Sequence, residues 1–212
     1  MHSVDGWIFD LDGTLVDSLP AIAMGLNHAL ASEGHPVYEE VTVRSFIGDG
    51  IEMLIARALP DHPEGRAAVF ERFRDWYING WRLGTVVYPG IDYVLQTLQT
   101  RGAVLAVLSN KPHRFTVEIV ESLFPGVFDV VLGQRDGVPH KPDPAGLREI
   151  LEHESWIAKT SGMIGDSTVD LETALHAGIT SIAVTWGYHD RARLEAMKPD
   201  AIVQRAEDLL EL

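Results

Sequence analysis

Two aspartates with catalytic potential, Asp10 and Asp12, stand one residue apart directly after the apolar run 7–9, and Gly13 and Thr14 follow at once. Ligands of open parallel sheets bind beyond the carboxyl ends of the strands, where both carboxylates can turn into one cavity. Two acids this close repel each other, so the pair requires a cation or a proton-transfer role. Gly13 would let a backbone N–H approach an anion closely. The alternative is a β-turn in which the aspartates serve only as local hydrogen-bonding groups.

A hydroxyl and an ammonium follow two later segments of the chain. The apolar stretch 104–108 ends in Ser109 and Asn110, and a hydroxyl beside exposed backbone N–H groups suits a phosphoryl oxygen. Lys141 is one of four lysines, against thirteen arginines, and lies among prolines that limit where its ammonium can point. A lysine in such a place suits a point charge on a phosphate. The alternatives are a helix N-cap by Ser109 or Asn110, and an exposed loop lysine.

The last candidate segment is 163–170, in which an apolar run leads through Gly165 to Asp166 and then to Asp170. If a helix begins at about Ser167, Asp170 lies in its first turn, where it favours the helix dipole or faces the site. The alternative is that Asp166 caps the helix. Together the segments put acid, hydroxyl, ammonium and acid at the ends of separate strands. Such a set suits a hard, oxygen-ligated cation such as Mg²⁺ together with a substrate phosphate.

The elements that must position these residues follow two patterns. Residues 18–83 carry apolar side chains at helical spacing, without a convincing strand. Farther along, helices alternate with predicted strands at 104–108, 127–132, 162–164, 180–184 and 201–203, which predicts a mostly parallel, doubly wound α/β sheet. We therefore expect an α/β core catalytic domain of residues 1–17 and 85–212 and an inserted all-helical cap domain of residues 18–84.

Composition excludes several classes of function. The net charge of −14 argues against a nucleic-acid backbone or an anionic membrane surface as a partner. The absence of cysteine excludes disulfides, thiol catalysis and zinc sites of the cysteine type. We find no secretory signal at the amino terminus and no apolar stretch long enough to span a bilayer, so we expect a cytoplasmic protein. The sequence does not indicate an oligomeric state.

The four segments occur in the order found in the haloacid dehalogenase-like (HAD) hydrolase superfamily, which the sequence resembles along its whole length. The block 18–84 resembles the family's small helical cap. The resemblance implies that Asp10 attacks phosphorus to give an aspartyl-phosphate, while Asp12 protonates the leaving group and then activates water. It also implies a Mg²⁺ ion held by Asp10, the carbonyl of Asp12 and Asp166, with Asp170 in support.

The same resemblance assigns the phosphoryl group to a further set of residues. Ser109 and Lys141 would hold its oxygens, and Lys141 would also steady Asp10. From the residues themselves, we also expect Gly13, through its backbone, with Thr14 and Asn110 to belong to the phosphate-binding set.

An acid at position 12 also indicates the branch of the superfamily. Dehalogenases lack it, because an ester formed from a haloacid needs no leaving-group proton, so Asp12 points to phosphoryl transfer. Segments 12–18, 46–51, 88–90 and 185–188 resemble bacterial phosphoglycolate phosphatases. We expect Arg44, Gly48, Asp49 and Gly50 to form a substrate-specificity loop in the cap. This loop is acidic and glycine-rich, whereas the β-phosphoglucomutase branch usually carries basic residues there.

The sequence therefore predicts a Mg²⁺-dependent phosphatase that hydrolyses a small phosphorylated metabolite, such as a phosphoglycolate-like phosphomonoester. Three alternatives stay open. They are a phosphomutase of the β-phosphoglucomutase type, a pyrophosphatase, and a receiver-like phosphoacceptor module. A receiver-type phosphoacceptor would sit mid-chain with no helical insert, whereas Asp10 precedes a long one.

Overall fold

A six-stranded parallel sheet organises the larger part of the chain. The computed structural model describes residues 4–153 and 160–212. The strands of the sheet are β1 (Gly6–Phe9), β4 (Val104–Pro112), β5 (Val130–Gln134), β6 (Ser161–Gly165), β7 (Thr180–Val184) and β8 (Ala201–Val203). Two short strands, β2 (Val16–Asp17) and β3 (Val86–Val87), form a separate two-stranded sheet.

Strand β1 lies in the middle of the sheet, whose order is β5-β4-β1-β6-β7-β8. All four residues of β1 are buried, as expected for a parallel strand covered on both faces. Phe9 pairs with Val107 on one side and with Ile164 on the other, so the three central strands are in register where β1 ends. The residues that follow β1 and β6 therefore emerge side by side at one edge of the sheet.

Helices surround the sheet, so the predicted doubly wound α/β class is confirmed. They are α5 (Ile91–Thr100), α6 (His113–Leu123), α7 (Ala145–Leu151), α8 (Thr168–Ala177) and α9 (Arg191–Ala196), with a 3₁₀ segment at Ala206–Glu211. Helix α5 shows how the sequence selects the covered face, because its buried residues Ile91, Val94, Leu95 and Leu98 recur at helical spacing.

A second compact unit, Val16–Val86, is mostly helical. It contains α1 (Leu19–Ser32), α2 (Glu40–Arg44), α3 (Ile51–Ala58) and α4 (Arg66–Gly80), with 3₁₀ segments at Pro63–Gly65 and Trp81–Leu83. We call it the helical unit. We call the other unit, the described residues of Met1–Leu15 and Val87–Leu212, the core unit.

Inside the helical unit, α1 packs closely on α4. Gly25 permits this approach, because a Cβ added there would lie 2.7 Å from the ring of Trp76. None of the helices in the described parts of the chain combines the length and the apolar character needed to cross a membrane.

Two strand predictions need correction at their ends. The strand expected at 104–108 continues to Pro112, and the strand expected to begin at 127 begins at Val130. The apolar character near residue 127 has a different origin, because the ring of Phe128 packs edge-on against those of Phe9 and Phe124. Hydrophobicity there reflects side-chain packing rather than ladder pairing.

Candidate active site

Asp10 emerges directly from the end of β1. Its backbone N–H donates to the carbonyl of Ile164 at 2.9 Å, which continues the pairing with β6 by one residue. Its side chain accepts a hydrogen bond from the N–H of Leu11 at 2.7 Å, and the residue is 9% exposed. Asp10 is therefore held by the sheet itself rather than by a flexible loop.

Three carboxylates meet beyond this strand end. Each of Asp10, Asp166 and Asp170 offers an oxygen that lies within 4.8 Å of those of the other two. Lys141 bridges two of them, with its ammonium 2.9 Å from Asp10 Oδ1 and 2.7 Å from Asp170 Oδ1. The ammonium also donates to the carbonyl of Leu108 at 3.0 Å. With all four groups ionised the cluster carries a formal charge of −2, that is three carboxylates and one ammonium.

Asp166 is oriented by donors from two other segments of the core unit. The hydroxyl of Thr14 donates to Oδ1 at 3.1 Å, and the N–H of Tyr188 donates to Oδ2 at 2.6 Å. Glycines make room for it, because a Cβ at Gly13 or at Gly187 would collide with the Asp166 side chain. At Gly13 the backbone φ of +86° also favours glycine.

Asp170 has a structural partner in addition to Lys141. It forms a capping box with Ser167 at the start of α8, in which the Ser167 N–H and hydroxyl donate to Asp170 Oδ2 at 3.1 and 2.6 Å. The residue that caps α8 is therefore Ser167, and the alternative interpretation of Asp166 as the cap is wrong. Asp170 uses Oδ2 for the helix and Oδ1 for Lys141.

Ser109 and Asn110 lie inside β4 and not at a strand-to-helix turn. Helix α6 begins at His113 with Pro112 at its N-cap, so neither residue caps it. The side-chain amide of Asn110 accepts from the N–H of Lys141 at 2.8 Å and donates to its carbonyl at 3.1 Å. Asn110 thus holds the backbone of Lys141, while the hydroxyl of Ser109 accepts the N–H of Lys111 at 3.2 Å.

Lys111 is a site residue that our reading of the sequence missed. Its ammonium lies 2.9 Å from Asp12 Oδ1 and 2.7 Å from Asp12 Oδ2, with only 6% of its side chain exposed. The available signal was its position directly after Ser109 and Asn110 in a chain with few lysines. The sequence did not reveal that β4 continues far enough to bring it to Asp12.

The electrostatics of the cluster reflect burial and crowding. Burial, with the charges of Asp170 and Asp12, raises the pKa of Asp10 to about 7 against the opposing effect of Lys141. Burial, followed by Asp170 and Asp10, also raises the pKa of Asp166 well above its ordinary value. For Lys141, burial would lower the pKa, but Asp10 and Asp170 raise it overall. Negative charge is thus in excess at the three carboxylates, which is where a cation would be stabilised.

The expected specificity loop lies in the helical unit and has its own internal contacts. Arg44 ends α2, and Gly48 and Gly50 both have positive φ, which favours glycine. Asp49 forms an ion pair with Arg57. The sequence of this loop predicts an acidic surface, but the carboxylate of Asp49 has a cationic partner in Arg57.

Comparisons with known proteins give the family. The family described as "Haloacid dehalogenase-like hydrolase" matches residues 7–184, and the chain belongs to it. The chain is 33% identical to the phosphoglycolate phosphatase of Vibrio cholerae serotype O1, covering 100% of this chain and 98% of that protein. Identity to the phosphoglycolate phosphatase of Yersinia pseudotuberculosis is 34%, covering 98% of this chain and 92% of that protein.

A solved structure has the same fold. The crystal structure of a predicted phosphoglycolate phosphatase from Haemophilus somnus 129PT superposes with a TM-score of 0.93 at 28% identity, covering 100% of this chain and 98% of that chain. The protein is accordingly a phosphoric monoester hydrolase, in the branch of its superfamily that contains phosphoglycolate phosphatases.

Proposed function

We propose that the protein is a Mg²⁺-dependent phosphatase that hydrolyses a phosphoglycolate-like phosphomonoester through an aspartyl-phosphate on Asp10. The observation that carries this proposal is the cluster of Asp10, Asp166 and Asp170, of which Asp10 and Asp170 contact the Lys141 ammonium. A nucleophilic carboxylate, a surplus of negative charge and a buried ammonium then share one end of the sheet. These are the groups that phosphoryl transfer requires, since its catalysis depends on positioning and on neutralising charge.

The residues present fit a Mg²⁺ ion. The donors are hard carboxylate oxygens within 4.8 Å of one another, and the formal charge of the cluster matches a divalent cation. Asp10, the carbonyl of Asp12 and Asp166 would hold the ion, with Asp170 in support. When bound, Mg²⁺ supplies positive charge to the phosphoryl oxygens and to the attacking carboxylate.

The reaction then follows from the protein's own groups. A carboxylate oxygen of Asp10 attacks phosphorus while the bond to the ester oxygen breaks, and Asp12 gives its proton to that oxygen. Asp12 next takes a proton from water, whose oxygen attacks phosphorus and releases inorganic phosphate with recovery of the Asp10 carboxylate. Lys141 and Ser109 hold phosphoryl oxygens, with Gly13, Thr14 and Asn110 around them.

The roles of the two parts of the chain belong to this proposal. Residues 1–17 and 85–212 act as the catalytic domain, and the cap of residues 18–84 selects the substrate through Arg44, Gly48, Asp49 and Gly50. The relatives named phosphoglycolate phosphatases support a small phosphorylated metabolite as substrate. A cytoplasmic location, and the absence of nucleic-acid and membrane partners, stay predictions from the sequence.

A substrate screen tests the proposal. The protein is stripped of metal with a chelator, and phosphate release from phosphoglycolate, pyrophosphate and hexose phosphates is measured with and without added Mg²⁺. We expect steady release over many turnovers from phosphoglycolate, only with Mg²⁺. Isomerisation of a hexose phosphate without phosphate release would establish a mutase instead, and a single turnover that stops at a stable phosphoprotein would favour a receiver-like module.

A further inference from the structure

We propose that Lys111 is a specificity-determining residue that binds an anionic group on the leaving half of the substrate, a carboxylate on the carbon next to the ester oxygen. This inference rests on the proposed function and deepens it. The ion pair of Lys111 with Asp12, inside the core unit, is the observation that leads to it.

Lys111 contacts the residue that must reach the leaving oxygen. Asp12 must come within hydrogen-bonding distance of the ester oxygen to protonate it, about 2.5–3.0 Å. The ammonium of Lys111 is itself 2.7 Å from Asp12 Oδ2 and 2.9 Å from Oδ1. Lys111 therefore lies one hydrogen bond from the group that touches the leaving oxygen, on the leaving-group side of the reaction. Lys141, by contrast, is held by Asp10 and Asp170, the nucleophile and the metal-site acid.

Asp12 must lose part of its contact with Lys111 when it acts as the acid. Both oxygens of Asp12 contact the ammonium of Lys111. Asp12 must turn at least one of them to the ester oxygen, which weakens its contact with a side chain that is 6% exposed. A buried ammonium that loses part of its counter-charge is costly, so a replacement anion is stabilising at this moment.

The substrate itself can supply that anion. A carboxylate next to the ester oxygen arrives with the substrate and lies beside the oxygen that Asp12 protonates. It restores the hydrogen bonds of Lys111 as Asp12 turns away, whereas a neutral leaving group offers no such replacement. Substrates of the 2-phospho-carboxylate class are thus favoured over esters of neutral alcohols.

Two substrates of matched shape test the proposal, 2-phosphoglycolate and its neutral amide, 2-phosphoglycolamide. Phosphate release gives kcat and KM for the wild type, for Lys111→Met and for Lys111→Arg. Lys198→Met removes a charge from an exposed lysine outside the cluster and is the matched control. We expect the wild type to prefer the carboxylate substrate, and Lys111→Met to lose at least about 30-fold more kcat/KM on the carboxylate than on the amide. Lys111→Arg should keep part of the preference, because it keeps the charge.

Other outcomes overturn the inference. Equal losses on both substrates would show that Lys111 only supports Asp12, and a wild type without preference for the carboxylate would exclude the role even if Lys111→Met failed to fold. In both cases a wild type that still releases phosphate leaves the proposed function intact. A wild type that releases no phosphate from any phosphoester would refute the proposed function, and this inference with it.

Discussion

Asp10 and Asp12 stand one residue apart, yet each has its own ammonium. Lys141 contacts Asp10, and Lys111 contacts Asp12. Two carboxylates with separate ammonium partners can be held in separate orientations, which is what a nucleophile and an acid at one strand end require. The proposed roles of Asp10 as nucleophile and Asp12 as acid are therefore supported by two lysines from different segments of the chain.

Replacing Asp10 with asparagine should abolish turnover. The amide cannot form the acyl-phosphate, so we expect phosphate release to fall by about four orders of magnitude or more. Steady-state release from the best substrate of the screen measures this. Asp92→Asn, at an exposed acid of α5, is the matched control and should retain turnover. Release by Asp10→Asn at near wild-type rate would reject Asp10 as the nucleophile.

Much of the cluster could be predicted at the level of single residues, because an acid or a hydroxyl after an apolar run marks a strand end. That rule correctly singles out Asp10 and Asp166, whereas at Ser109 the strand continues to Pro112. The rule does not identify Lys111, because its partner Asp12 lies 99 positions away and no local pattern encodes that contact. Such pairings depend on the register between distant strands, which the sequence does not display.

Among the elements, α8 couples helix stability to the acidic cluster. Its N-terminal capping box uses Asp170 Oδ2, and the other oxygen of the same carboxylate holds Lys141. The start of the helix and the position of the ammonium are therefore set by one side chain.

Replacing Ser167 with alanine should affect both properties. Loss of the cap should lower the free energy of unfolding by about 1 kcal/mol, and the loosened Asp170 should raise the Mg²⁺ concentration needed for half-maximal activity. Thermal unfolding and a Mg²⁺ titration measure the two effects. Ser32→Ala removes an exposed hydroxyl that bonds within α1, and we expect it to change stability by less than about 0.5 kcal/mol. An unchanged Mg²⁺ titration for Ser167→Ala would mean that Asp170 is held without the cap.

The ends of elements were harder to predict than their existence. Serine, asparagine, lysine and proline are poor strand formers, so a strand ending at residue 108 was the natural expectation. The chain instead keeps its pairing with β5 as far as Pro112, across an irregular register. Tertiary pairing overrides local propensity there, and this extension is what carries Lys111 to Asp12.

At the scale of the whole molecule, the acidic cluster should limit the stability of the metal-free protein. The pKa of Asp10 is raised from 3.8 to about 7, so the folded state holds this proton more tightly than the unfolded chain does. The contribution of Asp10 to the free energy of unfolding is therefore greatest below about pH 4 and is lost as the pH rises to about 7. Above that range its carboxylate adds to the crowding of negative charge.

Asp10→Asn should consequently stabilise the metal-free protein at pH 8, by about 2–4 °C in Tm for each kcal/mol gained, and have little effect at pH 4. Lys141 keeps Asp170 as a partner in this variant. Added Mg²⁺ should raise the Tm of the wild type at pH 8 more than that of the variant, because the ion binds the folded state. Thermal unfolding at both pH values, with Asp92→Asn as control, measures these shifts. A lower Tm for Asp10→Asn at pH 8 would contradict the expected sign.

The fold as a whole was predictable because alternating helices and strands allow few arrangements, and right-handed parallel connections reduce them further. The contribution of each part of the chain to substrate choice could not be predicted. A specificity pocket depends on the packing of many side chains that follow no clear sequence pattern. Arg57, which neutralises Asp49 in the helical unit, is one contact of this kind.

The amide of Asn110 occupies both backbone groups of Lys141, much as a neighbouring strand would. A lysine in a proline-rich loop is thereby tied to β4 and moves with the sheet. The preceding segment, residues 135–140, is then not needed to position the Lys141 ammonium. We therefore expect that a change in the length or composition of that segment leaves the positive charge beside Asp10 in place.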